Sequence, residues 1–387
     1  MIARDLAARL TDVAGSFPAV TLTGPRQSGK STLCRELFPE RSYVNLEAPD
    51  ERAFAAEDPR AFLDRYPNGA ILDEVQRVPN LVSYLQPRID ADPVPGRWIL
   101  SGSQNFALLE SVSQSLAGRS AVLHLLPLTY REITRFPTHP TTLEEAVFTG
   151  GYPRIYDQAL DPNTWLASYV ATYIERDVRT ISNVGDLVAF QRFVELCAGR
   201  TGQLVNYSAL ASDAGVSQPT AKEWLSVLET SFVVFRLPAW HGNVRKRLVK
   251  APKLHFYDTG LACWLLGIRS PDQLRTHPLR GPIFESWVVS EVVKHRANQG
   301  ERGGVSFYRD QNGVEADLLI DGPDGTTVVE AKAGVTVTSD LMAPARRITE
   351  VLGDKVAGKP AIVYAGEDRQ TRSRCRLVPW REIHTLV

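Results

Sequence analysis

The chain has 387 residues, 43% of them hydrophobic and 23% charged, a composition that excludes wholesale disorder. Its length predicts roughly two to three domains, each able to bury a core. Basic and acidic residues balance at 44 each, so no global field favours a polyanion or a membrane surface, and any such surface must be local.

The longest apolar stretches, SFVVF and AVLHLLPL, fall far short of the roughly 18 residues a bilayer-spanning helix needs. MIARDLAARL carries charges every few residues and has no signal-peptide core. Cys34, Cys197, Cys263 and Cys375 form no CxxC pair and read as reduced thiols. The expectation is a cytoplasmic protein with no membrane partner. Lysine is scarce, 9 against 35 arginines, which gives weight to each lysine found in a motif.

The first 136 residues alternate short apolar runs with helix-compatible segments. AVTLTG (19–24), RSYVNLE (41–47), NGAILDE (68–74), RWILSGS (97–103) and SAVLHLLPL (120–128) predict buried parallel strands in an α/β layer. Between the first two lies GPRQSGKS, which satisfies G-x-x-x-x-G-K-[ST] between a strand and a helix. Gly24 and Gly29 let the backbone wrap a phosphate, and Pro25, Arg26, Gln27 and Ser28 complete the loop. Loop N–H groups and the helix N-terminus, opening with Lys30, Ser31 and Thr32, face the anion. Lys30 is placed for the β- and γ-phosphates of ATP and Ser31 for Mg2+.

The third run ends in two acids, Asp73 for the Mg2+ shell and Glu74 to polarise the attacking water. Ser101 or Ser103, at the end of the fourth run, is a candidate γ-phosphate sensor. Arg119 is a candidate arginine finger for a neighbouring subunit, with Arg26 and Arg176 as rivals. RFPTHPTT (135–142) predicts a hinge or linker, residues 143–236 read mainly as helix, and a short hairpin-like section follows.

LTGPRQSGKSTL, ILDEVQRVPNL, ILSGSQ and LAGR resemble the AAA-type P-loop ATPases of bacteria and archaea whose C-terminal half is a domain of unknown function. GGYPRIY, YIERDV, KAPKLHFYDTGLACWLLG, GPIFESWVVSE and YRDQNGVEADLLI extend the likeness over nearly the whole chain in the same order. The resemblance implies an AAA+-like ATPase domain over 1–136, a helical and winged-helix region over 143–267, and an α/β restriction-endonuclease-like domain over 280–387.

LVNYSALASDAGVSQPTAKEWLSVLE (204–229) reads as helix, turn, helix, with Gly215 at the turn and Ser217 as N-cap. Gln218, Thr220, Lys222 and Glu223 would face outward and Trp224, Leu225 and Leu228 inward. Thr230 to Tyr257 contains no acid but six cations, Arg236, Arg245, Lys246, Arg247, Lys250 and Lys253. This stretch, with Lys222, is the candidate DNA contact; the alternative is a solvated basic edge on a protein-binding or structural winged helix.

From 280 the order α-β-β-β-α-β is predicted. Asp317 lies in VEADLLI, and Glu330 and Lys332 share one face of TTVVEAK, with Glu285 on the preceding helix. That is the layout of a D…E-x-K nuclease site, where acids hold Mg2+ and a lysine orients water. A nuclease-like fold kept for binding or assembly is the alternative. The seven histidines show no metal-ligand spacing. Together these features predict Mg2+-dependent ATP hydrolysis coupled to DNA binding and remodelling by a homo-oligomer such as a ring. An ATP-dependent nuclease and a nucleotide-switched interaction module are the alternatives.

Overall fold

The computed structural model describes residues 2–103, 115–178, 186–240, 251–310, 313–336 and 343–387, with backbone alone for 175–178 and 343–344. The chain divides into two compact units. The first contains residues 1–127 with two short later segments, and the second holds most of the rest from Leu128 onward.

In the first unit, β1 (Ala19–Thr23), β2 (Ser42–Asn45), β3 (Ala70–Asp73), β4 (Trp98–Gly102) and β5 (Ser120–His124) form one sheet in the order β2-β3-β4-β1-β5. Every adjacent pair is parallel. All residues of β1, β3 and β4 are buried, because helices cover both faces. The period of two is visible in the packing. Val20, Leu22, Ile71 and Ile99 meet Leu6, Leu10, Leu33 and Cys34 on one side. Ala19, Leu72, Trp98 and Leu100 meet Phe62, Leu85 and Ile89 on the other.

The second unit has two sheets. β6 (Gln203–Leu204), β7 (Val234–Leu237) and β8 (Lys253–Phe256) make an antiparallel ribbon in the order β6-β8-β7. Against it lie the helices Leu187–Gly199, Tyr207–Ala214 and Gln218–Thr230. Gly215 ends the second of these in a left-handed conformation, and the Ser217 hydroxyl accepts the Thr220 N–H at 3.2 Å. Trp224, Leu225 and Leu228 are buried with Phe190 and Phe193, whereas Lys222 and Glu223 are exposed.

The larger sheet contains β9 (Val305–Arg309), β10 (Glu315–Gly322), β11 (Gly325–Lys332), β12 (Ala361–Tyr364), β13 (Gln370–Thr371) and β14 (Arg376–Pro379). Its order is β13-β14-β12-β11-β10-β9, continuing the expected α-β-β-β-α-β series by two strands. β10 and β11 form a hairpin across Pro323-Asp324, with Gly322 paired to Gly325. The parallel crossover from β11 to β12 runs through the helix Ala343–Leu352, whose Ala345, Ile348 and Leu352 pack on Ala316, Leu319 and Val328.

Residues 143–267 and 280–387 fall in one unit because they share a core. Leu143, Val147, Phe235 and Cys263 are buried in the same cluster as Phe284, Trp287, Leu318 and Trp380. Nor do residues 135–142 separate the units. The boundary lies near Leu128, and Tyr130 already belongs to the second unit's core, its hydroxyl donating to the Pro140 carbonyl at 3.0 Å. Among the described residues, no helix is long and apolar enough to cross a membrane.

Candidate functional site

The first site forms where β1, β3 and β4 end. Gly24 leaves β1 with φ of +152°, and a Cβ there would stand 2.1 Å from the Leu125 carbonyl oxygen, so close backbone approach demands glycine. Gly29, φ +93°, is the N-cap of the helix Lys30–Leu37. Gly29 has no side chain to cap that helix, which leaves its first turn directed at whatever occupies the loop. Gln27 is also left-handed, at φ +64°. The buried Ser28 hydroxyl donates to Pro25 O at 3.0 Å, and Arg4 holds the Ser28 carbonyl at 2.7 Å. Arg26 is 3.7 Å from Glu47, and Thr32 is exposed on the helix.

Lys30 is buried and folds back over the loop, donating to Gly24 O at 3.0 Å and Pro25 O at 2.8 Å. Burial lowers its pKa to about 8, although Glu74 and Asp73 oppose that shift. Burial likewise lifts the Cys34 thiol, with Asp73 adding to the effect, to about 12, so it is protonated and inert.

Asp73, 4% exposed, gathers donors from three elements. Ser31 Oγ and the Tyr43 hydroxyl each donate to its Oδ2 at 2.6 Å, and Ser101 Oγ donates to its Oδ1. Glu74 follows in a left-handed conformation, φ +54°, which turns its side chain off the strand line. Its Oε2 accepts from Ser103 Oγ at 3.1 Å and from Gln76 Nε2. Gln76 Oε1 is buried with no partner among the described residues. A carboxylate, a helix-borne hydroxyl and an uncapped helix N-terminus fit a triphosphate with Mg2+: Ser31 and Asp73 are the groups that would hold the metal.

The two serines therefore part company, Ser101 on Asp73 and Ser103 on Glu74. Tyr43 had no motif to announce it, and Gln76 lay within ILDEVQRVPNL with no role attached to it. Tyr43 reaches Asp73 only because β2 lies beside β3, pairing Asn45 with Asp73. Arg119 is held by Asp90, through Nε at 2.5 Å and a terminal nitrogen at 2.9 Å. The side chain of Arg176 lies outside the described residues.

In the second unit, Asp317 on β10, Glu330 and Lys332 on β11, and Glu285 on the helix Arg280–Asn298 do converge. Lys332 Nζ donates to Glu330 Oε2 at 3.1 Å, and the Ala331 N–H donates to Asp317 Oδ2 at 2.8 Å. Two further groups were not foreseen there: Glu315, and Lys253 from β8. The assignment of Lys253 to DNA is corrected, because its side chain is 3% exposed, with Nζ 2.7 Å from Glu285 Oε1 and bonded to Glu315 Oε1. A cation sealed under three carboxylates has no face to offer a phosphate. Burial by itself would lower the Lys253 pKa, but Glu285, Asp317 and Glu315 outweigh it and raise it. Glu285 and Glu330 are each pushed up to about 8, first by burial and then by Asp317. Arg236, another cation of that stretch, is bonded to Glu229 at 2.6 Å. Lys222 is exposed, its ammonium 5.5 Å from the Tyr207 ring centroid. Arg245, Lys246, Arg247 and Lys250 lie outside the described residues.

Residues 16–134 match the family model described as an AAA domain. Residues 140–272 and 280–383 match two domains of unknown function, DUF8612 and DUF4143. Among solved structures, the Walker-type ATPase PABY2304 of Pyrococcus abyssi is 15% identical, covering 68% of this chain and 96% of that one at a TM-score of 0.46. The RuvB Holliday junction branch migration motor of Thermotoga maritima is 18% identical, covering 61% and 90% at a TM-score of 0.32. The uncharacterized proteins Rv2008c of Mycobacterium tuberculosis and Mb2031c of Mycobacterium bovis are each 31% identical over 371 residues, 95% of this chain and 80% of theirs. The chain thus belongs to the family of these two mycobacterial proteins, and its N-terminal part is an AAA domain.

Proposed function

We propose that the chain is a Mg2+-dependent ATP hydrolase that couples turnover to the binding and remodelling of DNA, branched DNA such as a recombination intermediate in particular, and that it works as a homo-oligomer. The observation that carries the reading is the convergence of Lys30, Ser31, Asp73 and Glu74 at the ends of β1 and β3. Lys30 would meet the β- and γ-phosphates, and Ser31 and Asp73 would hold the Mg2+ that supplies charge neutralisation there. Glu74 orients the attacking water, and Ser103, bonded to that carboxylate, ties water position to the γ-phosphate. Arg119, once released by Asp90, is the group for a neighbouring subunit's phosphate, which requires an assembly such as a ring.

Support for the DNA half comes from the helix–turn–helix over 207–230 with its exposed Lys222, and from the acid-free sequence of 230–257. ATP turnover measured with and without linear, single-stranded and branched DNA is the test. Stimulation by DNA, lost in Lys30→Ala and Glu74→Gln, is expected. Equal rates with and without every DNA form would remove the DNA half and leave a plain ATPase.

A further inference from the structure

We infer that the ammonium of Lys253 is the resident cation of the cluster formed by Glu285, Glu315 and Asp317, so that this nuclease-like centre is sealed by the chain's own lysine and closed to a divalent metal. The inference does not depend on what the AAA domain does. Position is the first observation. Lys253 Nζ is 2.7 Å from Glu285 Oε1, bonded to Glu315 Oε1, and 3.9 Å from Asp317 Oδ1. An Mg2+ held by the same oxygens would have to sit about 2.0–2.1 Å from them and keep several waters in octahedral array. The ammonium already bonds two of those oxygens, and two cations a few ångströms apart in a buried site repel strongly.

The second observation is that two further carboxylate oxygens are engaged as well, which leaves Glu330 Oε1 as a buried oxygen without a partner among the described residues, a single atom and too few to hold a divalent metal. Asp317 Oδ2 accepts the Ala331 N–H at 2.8 Å, and Glu330 Oε2 accepts from Lys332 at 3.1 Å. The third is where Lys253 comes from. It opens β8, where it pairs with Leu204 and Leu237, and its ammonium lies 5.5 Å from the Phe307 ring centroid. Its side chain is 3% exposed, so no swing into solvent is available without separating β8 from the helix Arg280–Asn298. A lysine in this position fastens the small sheet to the large one, and the carboxylates that would otherwise repel one another become its counter-ions. The fold keeps the acids of a nuclease and uses them as a latch.

Mn2+ binding to the full chain without nucleotide, followed by the loss of its free paramagnetic resonance signal, tests this in an Asp73→Asn background that removes the carboxylate ligand of the nucleotide site. That protein is expected to take up no Mn2+ that depends on Asp317. Lys253→Met, which keeps the stem and removes the charge, is expected to gain one site at least about tenfold tighter, lost again on adding Asp317→Asn. Lys253→Arg is expected to remain closed. A folded Lys253→Met protein that gains no site overturns the inference. So does an Mn2+ ion bound with Lys253 present and lost in Asp317→Asn; that comparison decides the matter even should Lys253→Met fail to fold.

Discussion

Binding of a triphosphate should draw protons from solution, in an amount set by Lys30. In the free protein burial holds this ammonium at about 8 rather than at its ordinary value of 10.5. Just under a tenth of Lys30 is then neutral at pH 7, about half at pH 8 and about nine-tenths at pH 9. A bound triphosphate stabilises the charged form and returns the group to full protonation. Uptake per site is therefore expected to climb through about 0.1, 0.5 and 0.9 protons over that range. Titration calorimetry with a non-hydrolysable ATP analogue, in paired buffers of different ionisation heat, reads this number directly. Apparent affinity should fall by up to about tenfold per pH unit above 8, because the neutral amine must first be protonated. Lys30→Arg should abolish the linkage, since a guanidinium stays charged throughout.

The same shift acts on stability with a definite sign. Between about 8 and 10.5 the unfolded chain binds more protons than the folded one, so the nucleotide-free protein gains stability as pH rises through that window. At neutral pH the shift corresponds to roughly 3 kcal/mol of stability lost relative to an unperturbed lysine. Binding without buffer dependence at any of the three pH values, or with proton release, would refute the argument.

The two loop glycines should fail for different reasons. Gly24→Ala is expected to abolish nucleotide binding and to destabilise the chain by about 3 kcal/mol or more, because its Cβ would lie 2.1 Å from the Leu125 carbonyl. Gly29→Ala, whose nearest neighbour would be the Arg4 guanidinium at 3.7 Å, meets left-handed strain alone and should cost about 1–2 kcal/mol, with thermal melts comparing the two. In the second unit, Trp224→Ala should cost about 3–5 kcal/mol in urea unfolding, since the indole meets Phe190 and Phe193 edge-on at 5.2 and 5.5 Å. A loss below about 1 kcal/mol would mean that this helix is not anchored through Trp224.

What the sequence determined by itself is what local backbone chemistry dictates. The P-loop is legible because its turn demands particular residues within one short stretch, and Asp73 and Glu74 because two acids close a buried apolar run. Helix and strand periods likewise placed Trp224 and Leu228 inside and Lys222 outside, and put Glu330 and Lys332 on one strand face. Tertiary structure decided which of these elements are neighbours. Tyr43 and Ser101 meet on Asp73 because β2 and β4 flank β3, an order no periodicity encodes. Residues 143–267 and 280–387 merge because their apolar faces complete one core, which no pattern along the chain announces. Lys253 is the sharpest case. Counted along the chain it belongs to a basic run, yet in space it is enclosed by Glu285, Glu315 and Asp317. Charge along a sequence reports only covalent neighbours, whereas the field a lysine feels is set by the groups that folding brings to within a few ångströms of it.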